Sequence, residues 1–353
     1  MGNPAPEDVR AHLLAWYDAN RRDLPWRRTQ DPYRILIAEF LLQRTRIASG
    51  TPYYERFLAR FPTVRDLAVA SLDDVLAVWE GLGFYGRARN LHAAAQAIVA
   101  RHGGDVPRSF DELESLPGVG PYTAGAVGSI AFGIPVPAVD GNVTRVIARL
   151  FRIREDVTKG PARRRIAEIA ARLVSPVRPG AFNQAMMELG ATVCTPTCPA
   201  CVRCPLENRC LGRAAGEERD LPLARRPTSP PVIHVVFAVV RRDDAVLAVR
   251  RPDRGLLGGL WALPGGEHGR KRDEKRALTD LVRDQTGVPI RIGSRVTRVS
   301  HTFSHRRWRG AIYRCEADAY LPLSRGARWI PLEKAAAMPF VPFHRKAIEA
   351  AMK

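Results

Sequence analysis

The chain has no run of 18 or more apolar residues, so no segment is expected to cross a membrane. Its first residues, MGNPAPEDVRAH, have none of the apolar core of a secretory signal. No internal repeat and no low-complexity tract is visible. Cysteine is almost absent outside one short stretch: five of the six fall between Cys194 and Cys210, which excludes a disulfide framework and points to a metal site in a reducing cytoplasm. Acidic residues are in deficit, 36 against 55 Lys and Arg, giving a formal charge of +19. That imbalance argues for a polyanionic partner, nucleic acid first and an acidic membrane surface second. Arginine pairs (Arg21-Arg22, Arg27-Arg28, Arg241-Arg242, Arg306-Arg307) spread it along the chain.

The 353 residues, 46% hydrophobic, suffice for two packed domains. Residues 1–213 read as an all-α domain of short helices, including Tyr33 to Thr45, apolar almost all round, and Tyr122 to Phe132. Residues 214–230 turn polar and rich in Arg and Pro, marking a linker. From 231 to 353 the period changes. Strands are expected at Val232 to Val240, Ala245 to Arg250, Arg295 to Ser300 and Arg309 to Cys315, with a helix over Ala277 to Gln285. The second domain is therefore α+β.

The stretch Leu116 to Asn142, LPGVGPYTAGAVGSIAFGIPVPAVDGN, stands out. Gly118 and Gly120 in its turn allow φ > 0 and close backbone approach, so N–H groups at a helix N-terminus can face a phosphate. Asp140 follows, a lone carboxylate before the turn pair Gly141-Asn142. The plainer reading is an αα-hairpin followed by an N-capping Asp. Glu39, in the apolar helix, should have its pKa raised by desolvation and could serve as a general acid, or be a structural Glu paired with an arginine. Two carboxyl groups in opposite protonation states suit glycosidic cleavage. Tyr122 either faces the same cavity or is a helix-cap aromatic. Cys194, Cys201, Cys204 and Cys210 have the spacing C-x6-C-x2-C-x5-C. Four thiolates accept zinc or an iron–sulfur cluster, and the single short knuckle favours the cluster. Cys198 reads as a bystander and Cys315 as buried packing.

These residues together resemble the helix-hairpin-helix DNA glycosylases of the endonuclease III superfamily. LPWR at Leu24 to Arg27, AEFLLQRT at Ala38 to Thr45, GLGFYGRARNLH at Gly81 to His92, FNQAMMELGATVC at Phe182 to Cys194, GLLGGLWALPGG and HTFSH sharpen the likeness to the MutY type, the adenine DNA glycosylases. The resemblance covers nearly the whole chain. It implies an all-α glycosylase domain with a [4Fe–4S] cluster on the four cysteines and a Nudix-like α+β domain. It also implies a monomeric enzyme that flips adenine out of double-stranded DNA opposite 8-oxoguanine or G. Glu39 matches the acid that protonates adenine N7 and Asp140 the carboxylate that stabilises the oxocarbenium ion, with Tyr122 and Asn142 in support. Trp26, Arg27 and Gln184 match the adenine pocket. Gln43, Arg44, Thr45, Gly83, Tyr85, Arg87, Gly118 and Gly120 match DNA-contacting stretches. Phe303, Ser304 and His305 match the loop that reads 8-oxoguanine. Tyr122 stands where lyase relatives carry a Schiff-base lysine, so a monofunctional enzyme is expected. Leu281 and Gln285 stand where a Nudix hydrolase needs carboxylates, so hydrolysis of nucleotides is not expected.

One departure is Arg44, where the family has a second glutamine. Thymine glycosylases that act on G·T carry an arginine in this region, which keeps altered base preference open. A lesion-binding protein without catalysis is the alternative from another class.

Overall fold

The computed structural model describes residues 3–224, 229–253, 255–270, 272–317, 322–335 and 338–352. It divides into two compact units: Met1–Val69 with Asn90–Arg226, and Ala70–Arg89 with Pro227–Lys353. The second unit thus includes a stretch of the helical half. Residues 225–228 of the expected linker lie outside the described residues, and 214–224 are not free chain. Leu221 is buried, its carbonyl accepts from Arg149 Nε at 2.8 Å, and Val157 N donates to Leu223 O.

The first unit is helical. Pro32–Leu42 starts where Asp31 accepts from the Tyr33 and Arg34 N–H groups and Pro32 presets φ. Its residues Ile35 through Leu41 are all buried. The helix ends at Leu42 and not at Thr45, because Arg44 adopts φ 58°. Phe110–Glu114 opens with a capping box, Ser109 accepting from Glu112 N and donating to its carboxylate. After the turn comes Pro121–Phe132, nearly all buried at its centre, with left-handed Gly133 closing it. An extended segment leads to Gly141–Leu150, which Gly141-Asn142 disguises in sequence as a turn. Pro179–Thr192 packs against both, and Val146, Ile147, Ile169, Phe182, Met186 and Leu189 share one core.

The second unit holds a sheet of seven strands: β1 Val232–Arg242, β2 Ala245–Arg250, β3 Trp261–Ala262, β4 Gly265–His268, β5 Ile290–Thr302, β6 Arg307–Ala317 and β7 Ala327–Pro331. The order is β3-β2-β1-β6-β5, with β4 also pairing β1 and β7 pairing β2. β1 and β6 are parallel, and the other pairs are antiparallel. Strict alternation sends Val235, Phe237 and Val239 to one face and Val236, Ala238 and Val240 to the other. Helix Glu274–Thr286 covers the second face through Ala277, Leu278 and Val282. Helix Pro342–Met352 covers the first through Ala347 and Ile348. No helix of the described residues is long and apolar enough to cross a membrane.

Candidate active site

The first unit contains a cavity of about 160 Å³, lined among others by Trp26, Arg27, Glu39, Tyr122, Asp140 and Asn142. That is below the roughly 300–1,000 Å³ of drug-sized sites and matches one small planar group. Glu39 reaches it from the apolar helix and is 8% exposed. Burial pushes its carboxyl up to about 7; the Tyr122 hydroxyl, donating at 2.6 Å, pulls it down, and the charge of Asp140 adds to the rise. Burial and the two carboxyl groups raise the Tyr122 phenol well above its ordinary value, so it remains a donor. Tyr122 also touches Met187 Sδ at 3.4 Å.

Asp140 is both things its sequence position allows. It is the N-cap of Gly141–Leu150, accepting from Val143 N at 2.7 Å, and its second oxygen accepts from Asn142 Nδ2 at 2.7 Å. Burial raises its pKa, opposed by those donors and by Arg145. Glu39 has one hydroxyl donor. Asp140 has two N–H donors, a helix N-terminus and a guanidinium. These neighbours favour the negative charge on Asp140 over Glu39. Arg145 braces this corner, donating to Asn142 Oδ1 at 2.9 Å, Gly190 O at 2.7 Å and Cys194 O at 2.8 Å. Gly190 is required there: a Cβ would lie 2.6 Å from the Asn142 Cβ. Asn183 holds the approach to Asp140, bonding Ser129, Val136 O and Ala138 N.

Glu188 is a cavity residue that the sequence reading missed. Its side chain is 1% exposed and bonds Arg22 through both oxygens at 2.7 Å and Arg27 at 2.7 Å. Burial alone would raise this carboxyl, but Arg22 and Arg27 more than reverse that and hold it at about 2. Its partners lie 166 and 161 residues away, so only the fold could reveal the triad. Trp26, stacked edge-on against Tyr54, and Gln184 line the cavity as expected.

Of the stretch after the acid helix, Thr45 lines the cavity, Gln43 donates to Thr123 Oγ1 at 3.3 Å, and Arg44 is exposed. In the hairpin only Gly118 has positive φ, 75°, with Asn90 so close that a Cβ would meet it at 2.4 Å. Gly120 is extended and nothing lies near its Cβ position, so neither φ nor crowding within the chain requires glycine there. A correction concerns Tyr85. It is 4% exposed, whereas Phe84, at φ 47°, is 47% exposed. Arg87 is buried too, donating to Leu82 O and Gly83 O and lying over the Trp79 and Phe84 rings, so it braces the Gly83 turn.

Cys194, Cys201, Cys204 and Cys210 share one loop with two 3₁₀ turns and form no disulfide. Burial, and the charge of its three neighbours, push the Cys204 thiol up to about 12. Thiols that disfavour one another's ionisation suit a cationic centre between them. Buried Arg149 anchors the loop, donating to Thr195 O, Pro196 O and Cys194 Sγ. Among the described residues no three His, Cys, Asp or Glu side chains converge on a single ion's position. Cys198 is exposed and Cys315 buried.

In the second unit β5 and β6 form a hairpin closed by Phe303 N to Arg306 O at 2.8 Å. Ser304 and His305 are exposed at its tip, while Phe303 turns inward against Trp308, 5.1 Å between rings. Where a Nudix hydrolase needs carboxylates, Leu281 packs in the core. Gln285 is committed to Gly265, accepting from its N and donating to its O at 2.9 Å.

Residues 37–172 match the HhH-GPD superfamily base excision DNA repair proteins, and residues 235–350 the NUDIX domain. The chain is 36% identical to the adenine DNA glycosylase of Homo sapiens, over 98% of this chain and 72% of that one. It is 43% identical to the adenine DNA glycosylase of Mycolicibacterium smegmatis over 73% and 97%. Among solved structures, a thermostable thymine-DNA glycosylase superposes with a TM-score of 0.54 at 31% identity, covering 60% of this chain and 97% of that one. Endonuclease III in a non-covalent DNA complex superposes at 0.51 and 26%, over 60% and 98%. With both domains matched in order and a relative 36% identical that is covered over 72% of its length, the chain belongs to the adenine DNA glycosylases.

Proposed function

We propose that this chain flips adenine out of duplex DNA where it lies opposite 8-oxoguanine or G, and hydrolyses its N-glycosidic bond. The observation that carries this is the meeting of Glu39 and Asp140 on one cavity with different partners, a phenol for Glu39 and two N–H donors for Asp140. Protonated Glu39 gives its proton to adenine N7, and Tyr122 keeps the carboxyl aimed. As the bond breaks, the Asp140 carboxylate faces the cationic sugar, held by Val143 N and Asn142. Glu188, fixed by Arg22 and Arg27, offers acceptor atoms to the base edge, and Trp26 a ring face. Tyr122 has no amine, so no Schiff base forms and the strand stays uncut. Arg44, exposed and left-handed, wedges into the stack, and Phe84 of the second unit, also exposed and left-handed, offers a ring of the same use. Ser304 and His305 read the opposite base. Cys194, Cys201, Cys204 and Cys210 hold a [4Fe–4S] cluster, which shapes the loop when bound. The working unit is a monomer in the cytoplasm, built as 1–213, 214–230 and 231–353.

A second reading, removal of thymine from G·T, is favoured by Arg44 and by the likeness to thymine-DNA glycosylase. Duplexes holding A opposite 8-oxoguanine, A·G and T·G separate the two, with abasic sites revealed by alkali. Product from the adenine duplexes and no cleavage before alkali is expected. Product from T·G alone would replace the first reading by the second.

A further inference from the structure

Helix Glu274–Thr286 covers only part of its sheet face. The register continues that face past the helix toward the hairpin tip. Val236, Ala238 and Val240 of β1 lie on it, so His234 and Val232 do too. Their partners on β6 are Arg309 and Arg307, and on β5 those pair with Ser300 and Thr302. On the other side His234 pairs with His268 of β4, their rings 6.0 Å apart. One row therefore crosses four strands: His268, His234, Arg309, Ser300. Arg298, opposite Ala311, stands diagonally next to Arg309. The row is about 14 Å long at about 4.8 Å per strand, enough to follow more than one phosphate.

Arg298, Ser300, Thr302 and Arg309 are exposed. Among the described residues the guanidinium groups of Arg298 and Arg309 have no hydrogen bond or ion pair, so this face is basic without counter-ions on them. Arg307 Nε is buried without a partner. Glu267, the carboxylate of β4, points to the opposite face, where it bonds Arg306 and Trp308. Glu274 borders the face from the helix and is engaged by the Tyr313 hydroxyl at 2.8 Å. Like charges set side by side on a sheet are destabilising unless a polyanion neutralises them. The row runs up to the strand ends that carry the exposed Ser304-His305 tip.

We propose that this uncovered sheet face is a second contact surface for duplex DNA, with Arg298 and Arg309 gripping the phosphodiester backbone beside the hairpin tip. It rests on the chain's being a DNA glycosylase but not on which base the tip reads. The test measures binding of the full-length protein to an undamaged 30-base-pair duplex across a salt series. In R298Q and R309Q the slope of log affinity against log salt should shallow by about 1 each, and by about 2 in the double variant. R291Q, whose guanidinium already pairs with Glu316, should keep the wild-type slope. Adenine release from A·G duplex at saturating protein should be unchanged in R291Q. A slope unchanged in the double variant would overturn the proposal, as would an equal loss in R291Q. Absence of adenine release in the wild type would instead overturn the glycosylase reading.

Discussion

Glu39 and Glu188 are both carboxyl groups buried in one cavity, and their neighbours send them in opposite directions. Glu39 has one phenol for company and is held near 7; Glu188 has two guanidinium groups and is held near 2. Adenine release under single-turnover conditions should therefore fall as pH rises through about 7, when Glu39 loses its proton. E39Q should lower that rate by roughly 10²–10⁴. Because the Tyr122 hydroxyl favours the ionised carboxyl, Y122F should move the falling limb to higher pH. A limb that stays in place would remove Tyr122 from the tuning of the acid. Stability follows the same shifts with opposite signs. Glu39, raised, binds its proton more tightly when folded, so it lowers stability as pH climbs from about 4.5 to 7. Glu188, depressed, contributes stability that is full above its ordinary value near 4.5 and lost as pH falls toward 2. E188Q strands two guanidinium groups, one of them buried, and should destabilise the protein by about 3 kcal/mol. The denaturant midpoint at pH 7 minus that at pH 3 should be more positive in the wild type than in E188Q.

At the scale of the element, Asp140 couples a helix start to the chemistry. Asparagine caps as well as aspartate does. D140N should keep stability within about 0.5 kcal/mol of wild type while adenine release is lost. D140A should also lose about 1 kcal/mol. Equal stability of the two variants would mean the cap contributes nothing. What could be read from the sequence follows from the range of the forces involved. The apolar helix with one carboxyl and the glycine turn are local patterns, and both are present in the structure. Gly141–Leu150 begins on two good turn formers, and Asp140's capping bond to Val143 bears out the N-cap reading of that carboxylate. Between adjacent Phe84 and Tyr85, the left-handed turn at Phe84 decides which ring faces out, and no propensity announces it. Strands such as Gly265–His268 are too short to alternate visibly.

At the scale of the whole molecule, the two domain matches and the two compact units do not coincide. Ala70–Arg89 lies inside the segment that matches the HhH-GPD proteins, 37–172, yet it packs within the unit that contains the NUDIX match. Two ion pairs hold it there. Arg250 donates from both terminal nitrogens to Asp73, and Arg345 engages Glu80 at 2.8 and 2.7 Å while its remaining donors satisfy the carbonyls of Ala335 and Met338. The Glu80 pair is half-buried and fork-shaped, a geometry roughly twice as strong as a neutral hydrogen bond. This stretch also carries Phe84, so the order of an exposed ring depends on residues more than 150 positions later in the chain. A chain ending at residue 226 should therefore lose more than the sheet and its hairpin tip. With Arg250 and Arg345 gone, limited proteolysis with trypsin should cut at Arg87 or Arg89 first, at sites that the full-length protein protects. In the full-length protein R345Q should open the same sites partially, because Arg250 still holds Asp73. Cleavage that begins elsewhere in both would mean that the segment keeps its fold without the clamp.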